Sequence, residues 1–157
     1  MSDEEYMAEA LKEAEIAMSE DEVPIGCIIV YEGQIIARTH NQKETLKKAT
    51  GHAEILAINQ ASEYLNLWHL DGCTMYVTLE PCPMCAGAII NSRIKKVYIG
   101  AMDEKTGAVG SVLNLFEDYT FNHKVEAETG VMEKECQETL KKFFKELREL
   151  KRGGKNV

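Results

Sequence analysis

Two short segments, His52-Ala53-Glu54 and Pro81-Cys82-Pro83-Met84-Cys85, constrain this chain more than any other part of it. Each opens what reads as a helix, and the second follows an apolar run, Thr74 to Leu79, that reads as a strand. Pro83 occupies the start of its helix, where proline is favoured, so Cys82 falls at the cap and Cys85 in the first turn. Backbone N–H groups and the helix dipole there favour thiolate over thiol. His52 and Glu54 stand at the start of the preceding helix. Two residues apart in mid-helix diverge by about 200°. At a helix start the first residue lies partly outside the helix, and both side chains can enter one cavity. A fold that satisfies both segments brings two helix N-termini together beyond the ends of strands, where ligands bind in open α/β sheets.

The rest of the chain supplies such a fold. Met7, Leu11, Ala14 and Met18 form one apolar stripe, so residues 3–19 read as a helix capped by Ser2 or Asp3. Pro24 to Tyr31 and Gln34 to Arg38 flank the turn Glu32-Gly33 and read as an antiparallel hairpin. Thr39 to Gly51 is polar and reads as a loop, of a length that is more often functional than not. Helix resumes near Ala53 and fades by Tyr64. Thr74–Leu79, a helix from Pro83 to Ile90, and Lys95–Ile99 form a strand–helix–strand unit, which implies a right-handed crossover and parallel strands. Asp103 to Gly110 reads as a glycine-containing loop, Ser111 to Phe116 as a short helix, and the neighbourhood of Val125 as a weak fifth strand. A last helix runs from about Glu133 to Leu150, with Cys136, Leu140, Phe143, Phe144, Leu147 and Leu150 on one face. The expected architecture is α/β, three α-β-α layers around a mixed sheet of about five strands. No repeat or boundary divides it, so one domain over 1–157 is expected, with a basic helix at 133–150 and a frayed tail at 151–157.

No apolar run approaches the roughly 20 residues of a membrane span. The acidic N-terminus has neither the basic start nor the apolar stretch of a secretory signal, so a cytoplasmic location is expected. Five cysteines then read as reduced thiols, with Cys27, Cys73 and Cys136 as small core residues. The net charge of −8 argues against general polyanion binding. The charge is uneven, however. Residues 1–32 hold ten acids and one base, whereas residues 141–157 hold seven bases and only Glu146 and Glu149 as acids. A basic end on an acidic body suits a nucleic-acid contact; it equally suits a solvated helix whose cations complement its dipole.

His52, Cys82 and Cys85 make three ligands of the kind zinc prefers. Structural zinc sites take four protein ligands, and catalytic ones take three and leave a place for water. Such water is acidified and needs a proton carrier, for which Glu54 is placed. Two alternatives compete. A redox Cys-x-x-Cys pair leaves His52 and Glu54 unused. A structural zinc site needs a fourth ligand, with Cys27, Cys73, Cys136, His40, His69 and His123 as the remaining candidates, and has no use for Glu54. H-x-E followed by P-C-x-x-C is the signature of zinc nucleobase deaminases.

Over roughly Tyr6 to Leu150 the chain resembles the bacterial tRNA-specific adenosine deaminases of the cytidine deaminase-like superfamily. The resemblance rests on Glu22 to Gly26, Asn41, His52-Ala53-Glu54, Tyr76 to Ala88, Ser92-Arg93-Ile94, Asp103, Lys105 to Ala108, Gly110-Ser111, Asn122-His123 and Phe143-Phe144. It implies conversion of adenosine to inosine at the wobble position of a tRNA anticodon by a homodimer holding one zinc ion per chain. His52, Cys82 and Cys85 are then the zinc ligands and Glu54 the proton shuttle. Asn41, Ile25, Ala53 and the backbone carbonyl of Glu80 would bind the target nucleoside. Asp103, Lys105, Asn122, His123, Phe143 and Arg148 match positions of RNA contact. Two of these have plainer readings as well: Asn41 as an Asx-turn residue after a strand, and Phe143 as a packed core aromatic. A free-base or nucleoside deaminase acting on guanine or cytidine shares the metal motif and is the alternative.

Overall fold

Ser2 starts the first helix. Its hydroxyl accepts from the Glu5 amide while the Glu5 carboxylate accepts from the Ser2 amide, a capping box that opens α1 (Asp3–Ser19). The computed structural model describes residues 1–152. β1 (Gly26–Tyr31) and β2 (Gln34–His40) follow, joined at Glu32 and Gly33, both with positive φ, as the expected two-residue turn requires. A short helix, α2 (Lys43–Leu46), leads to α3 (Ala53–Leu65). Then come β3 (Thr74–Leu79), α4 (Pro83–Asn91) and β4 (Lys96–Ala101), and finally β5 (Glu126–Thr129) and α5 (Glu133–Arg152).

The five strands form one sheet in the order β2-β1-β3-β4-β5. β1 pairs antiparallel with β2 and β3, while β3, β4 and β5 run parallel. The expected mixed sheet and crossover are therefore present. Side chains alternate across the sheet. Cys27, Ile29, Met75, Val77, Val97 and Ile99 face α3 and α4. Ile28, Val30, Tyr76 and Ala101 face α1 and Cys136 of α5. Buried faces on both sides make three layers, and explain why β1 and β3 read as continuous apolar runs.

Four expectations need correction. Thr39–Gly51 is not structureless, because β2 continues to His40 and Glu22 holds α2 from outside the loop. Ser111–Phe116 is no helix; turns and a lone bridge between Val109 and Asn114 fill it. Of the apolar face assigned to the last helix, only Cys136 is fully buried, and Phe144 and Leu150 are exposed. The far half of α5 projects past the core and borders cavities. Lys151 and Arg152 continue α5 instead of fraying, and the remainder of the expected tail, 153–157, lies outside the described residues.

Gly26 sets how closely α1 lies on the sheet. A Cβ there would stand 1.8 Å from the Ala10 carbonyl oxygen, which is backbone and cannot swing aside. Gly26→Ala therefore forces α1 outward. Overpacking of this kind costs about 1–3 kcal/mol, which lowers the melting temperature of a chain this size by about 2–12 °C. An unchanged thermal transition would show that α1 can shift freely.

Candidate active site

The sheet topology places the ends of β2 and β3 beside the starts of α3 and α4. His52 caps α3 with extended backbone (φ −78°, ψ 148°). Cys82 caps α4 with φ −74° and ψ 173°, and Pro83 stands in the first turn. The His52 Nδ1 atom lies 3.7 Å from the Cys82 Sγ and 3.5 Å from the Cys85 Sγ. The three ligating atoms all fall within 4.8 Å of one another.

This arrangement fits zinc. An imidazole nitrogen about 2.0 Å and a thiolate sulfur about 2.3 Å from one tetrahedral centre are about 3.5 Å apart, and two such sulfurs about 3.8 Å. No fourth His, Cys, Asp or Glu joins the group among the described residues. The other histidines are committed elsewhere. His40 is held between Glu13 and Glu20, His69 pairs with Asp71, and His123 donates from Nε2 to the Ile94 carbonyl. Cys27, Cys73 and Cys136 are buried within the apolar clusters, as expected. The donor set therefore leaves one position open.

Without a metal, the electrostatics make Cys82 the thiolate of the pair and Cys85 the thiol. The hydrogen bond from Cys85, helped by His52 and against its own burial, holds Cys82 down to about 4. Cys85, which gives that bond and is buried, is pushed well up. The Cys82 sulfur in turn raises His52. Burial pushes the Glu54 carboxyl up to about 7, opposed in part by hydrogen bonding and His52. Glu54 is 4% exposed and Ala53 is fully buried, and neither lines the cavity that His52 borders.

His52 lines a cavity of about 560 Å³ together with Ile25, Asn41, Asp103 and Lys105, so five of the expected residues meet there. Asn41 makes the Asx turn expected after a strand, its Oδ1 accepting from the Lys43 amide, and also faces the cavity. Glu80 is buried, with its carboxylate turned into the loop that begins at Asp103. The Asp103 carboxylate folds that loop, accepting from the Lys105 and Thr106 amides and the Thr106 hydroxyl. Asn122 and His123 border a different depression, with Trp68, Arg93 and Phe121. Arg148 lines a groove of about 590 Å³ with Lys105, Lys141 and Lys151. This groove shares Leu140 and Phe144 with the first cavity.

Phe143 does not border the cavity; its neighbour Phe144 does. Successive helical residues point about 100° apart, so half-buried Phe143 and exposed Phe144 face different surroundings. Lys43, Met102 and Thr106 also line the cavity without a sequence signal that singles them out. Glu22 belongs to a stretch that carries the resemblance, but the sequence assigns its side chain no role. It is 1% exposed, and it accepts from the Glu44 and Thr45 amides and the Thr45 hydroxyl, anchoring α2 beside Asn41. It sits in an acidic stretch, and nothing local in the sequence marks these contacts.

The family model of MafB19-like deaminases matches residues 1–148. The chain is 50% identical to the tRNA-specific adenosine deaminase of Bacillus subtilis over 98% of its own length and 95% of that protein's. It is 49% identical to the Aquifex aeolicus enzyme of the same name, covering 94% and 97%. A solved structure from a study of A-to-I editing by tRNA:A34 deaminases at the wobble position superposes with a TM-score of 0.84 and 45% identity. That match covers 87% of this chain and 99% of the other. With an open His-Cys-Cys group, a buried glutamate beside it and relatives matched nearly end to end, the chain belongs to the tRNA-specific adenosine deaminase family.

Proposed function

We propose that this protein converts adenosine to inosine at the wobble position of a tRNA anticodon, with zinc held by His52, Cys82 and Cys85. The observation that carries this reading is the three-atom ligand group, without a fourth partner among the described residues, whose His52 opens onto a cavity large enough for a nucleoside, with Glu54 buried two residues on. Zinc at such a site supplies the Lewis acidity that makes water a nucleophile near neutral pH. The chain's own residues do the rest. Glu54 takes a proton from the water, passes it to the ring nitrogen beside the amine-bearing carbon, and carries the second to departing ammonia. Ile25 and Ala53 shape the cavity around the base, Asn41 turns its amide to the nucleoside, and the Glu80 carbonyl receives the amine. The base is flipped out of the anticodon loop to reach this depth.

The groove lined by Lys105, Lys141, Arg148 and Lys151 continues from the cavity and supports an RNA path along α5. Such cations position a backbone without reading its sequence. Asp103, Asn122, His123 and Phe143 remain proposed RNA contacts, the middle two by way of the separate depression near Trp68. A cytoplasmic homodimer of one deaminase domain per chain completes the proposal. No helix among the described residues is long and apolar enough to cross a membrane.

The test is direct. The protein is incubated with an anticodon stem-loop carrying a wobble adenosine, with free guanine, and with free cytidine. Inosine is expected in the stem-loop alone. Turnover of guanine or cytidine with the stem-loop untouched would overturn the tRNA assignment in favour of a free-base or nucleoside deaminase. In a total tRNA pool, the same treatment should create new positions read as guanosine.

A further inference from the structure

One buried side chain ties the metal-ligating segment to the far rim of the cavity. Glu80 follows β3 and directly precedes Pro81-Cys82, and it is 2% exposed. Its Oε1 accepts from the Asp103 amide at 2.9 Å and from the Ser111 hydroxyl. Its Oε2 accepts from the Val109 amide at 2.9 Å and the Ser111 amide at 3.1 Å. Four hydrogen bonds fill the acceptor sites of a carboxylate. Beside them, the Ala108 amide donates to the Pro81 carbonyl at 2.8 Å.

The segment from Asp103 to Ser111 crosses directly over this carboxylate. A Cβ at Gly107 would stand 2.3 Å from Glu80 Cδ and Oε1, so only glycine lets the backbone pass so close. The segment contains no helix or strand, and a single lone bridge touches it. Three of its backbone N–H groups, those of Asp103, Val109 and Ser111, donate to this one side chain. Its tip, Asp103 to Thr106, is a wall of the cavity that His52 lines.

We propose that the Glu80 side chain is a positioning residue for the RNA substrate. It sets the place of the Asp103–Thr106 rim relative to Cys82, so that the nucleotides flanking the target base meet Lys105 and Thr106 in register with the reacting centre. Displacement of a positioning element by about 1 Å can cost a hundredfold in rate or binding even when the reacting groups are intact. The proposal rests on the tRNA reading above, and it gives the Glu80 side chain a task separate from that of its backbone carbonyl.

Two variants attack the contact from its two sides. Glu80→Gln keeps the shape but turns an N–H donor group toward backbone N–H donors. Gly107→Ala leaves the carboxylate intact and pushes the loop off it. For each, zinc content, amide exchange, and KM and kcat on the stem-loop are measured. Both variants should keep one zinc per chain and exchange the Asp103, Val109 and Ser111 amides faster. KM should rise about tenfold or more, the size of one lost hydrogen bond to a charged group, with kcat within about threefold of wild type. The double variant should be no worse than the worse single, because both break one contact. Faster exchange with KM unchanged reduces Glu80 to a structural role and overturns the proposal. Loss of zinc together with kcat overturns it as well, and places Glu80 at the metal site. A Glu80→Gln chain that fails to fold leaves Gly107→Ala to decide by the same readouts. A wild-type chain inert on the stem-loop sinks the tRNA reading itself; an active wild type with unmoved KM in both variants sinks only this proposal.

Discussion

Glu54→Ala is expected to cut the deamination rate by at least about 10²–10⁴-fold while leaving one zinc per chain. The position of the side chain separates these two outcomes. His52, Cys82 and Cys85 place their ligating atoms in one group, and Glu54 is not part of it. Removing it leaves the donor set whole but removes the one carboxyl, among the described residues, buried beside the ligating histidine. Three proton movements in the proposed reaction then have no carrier. Glu54→Gln should be equally inactive, which distinguishes loss of the proton carrier from loss of volume. Zinc loss in either variant, seen by metal analysis, would make Glu54 a ligand and contradict the assignment. A second readout comes from stability. Burial pushes this carboxyl up to about 7 in the metal-free fold, against about 4.3 in an unfolded chain. A raised acid destabilises the fold as pH climbs from the unfolded value through the folded one. Metal-free Glu54→Gln should therefore match metal-free wild type below about pH 4.3 and melt higher than it above pH 7. A higher-melting wild type under those conditions would mean that the glutamate is stabilised as an anion.

Much of this site was legible because its signals are local. Helix starts are written in short segments: Pro83 in the first turn of α4, and a histidine and glutamate two apart at the opening of α3. Two such helix starts facing one another account for the Cys82–His52 and Cys85–His52 distances. The strand order is less local, yet the hairpin turn and the crossover rule left few alternatives. Illegible positions depended on contacts between segments far apart in sequence. The Glu22 and Glu80 side chains each bind backbone about twenty to thirty residues away, and nothing local in the sequence marks those contacts. Residues Ser111–Phe116 carry a helical composition but are held by the bridge to Val109 and by turns. Tertiary anchoring overrides weak propensity there. Phe143 and Phe144 differ only in rotation about α5, which composition does not encode.

Serine in place of either Cys82 or Cys85 should abolish turnover and strip the metal. Two thiolates and a neutral imidazole balance the two charges of zinc, whereas one thiolate leaves the ion half-compensated in a partly buried site. A serine hydroxyl is also a harder donor that does not ionise under these conditions. Loss of the metal removes its contribution to folding. A ligand present at a thousand times its dissociation constant stabilises by about 4 kcal/mol, so the variants should melt about 8–16 °C below the zinc-loaded wild type. Cys73 provides the control. It is buried in the apolar core and lies outside the His52–Cys82–Cys85 group. Cys73→Ser buries a hydroxyl and costs about 1–3 kcal/mol, yet should retain zinc and activity. A chelator gives the independent arm. Wild type stripped of metal should fall to the activity of Cys82→Ser, and added zinc should restore the wild type alone. One zinc per chain in Cys82→Ser or Cys85→Ser would show that the ion is held by other residues. The open coordination position, on which the hydrolytic reading depends, would then have to be sought elsewhere in the fold.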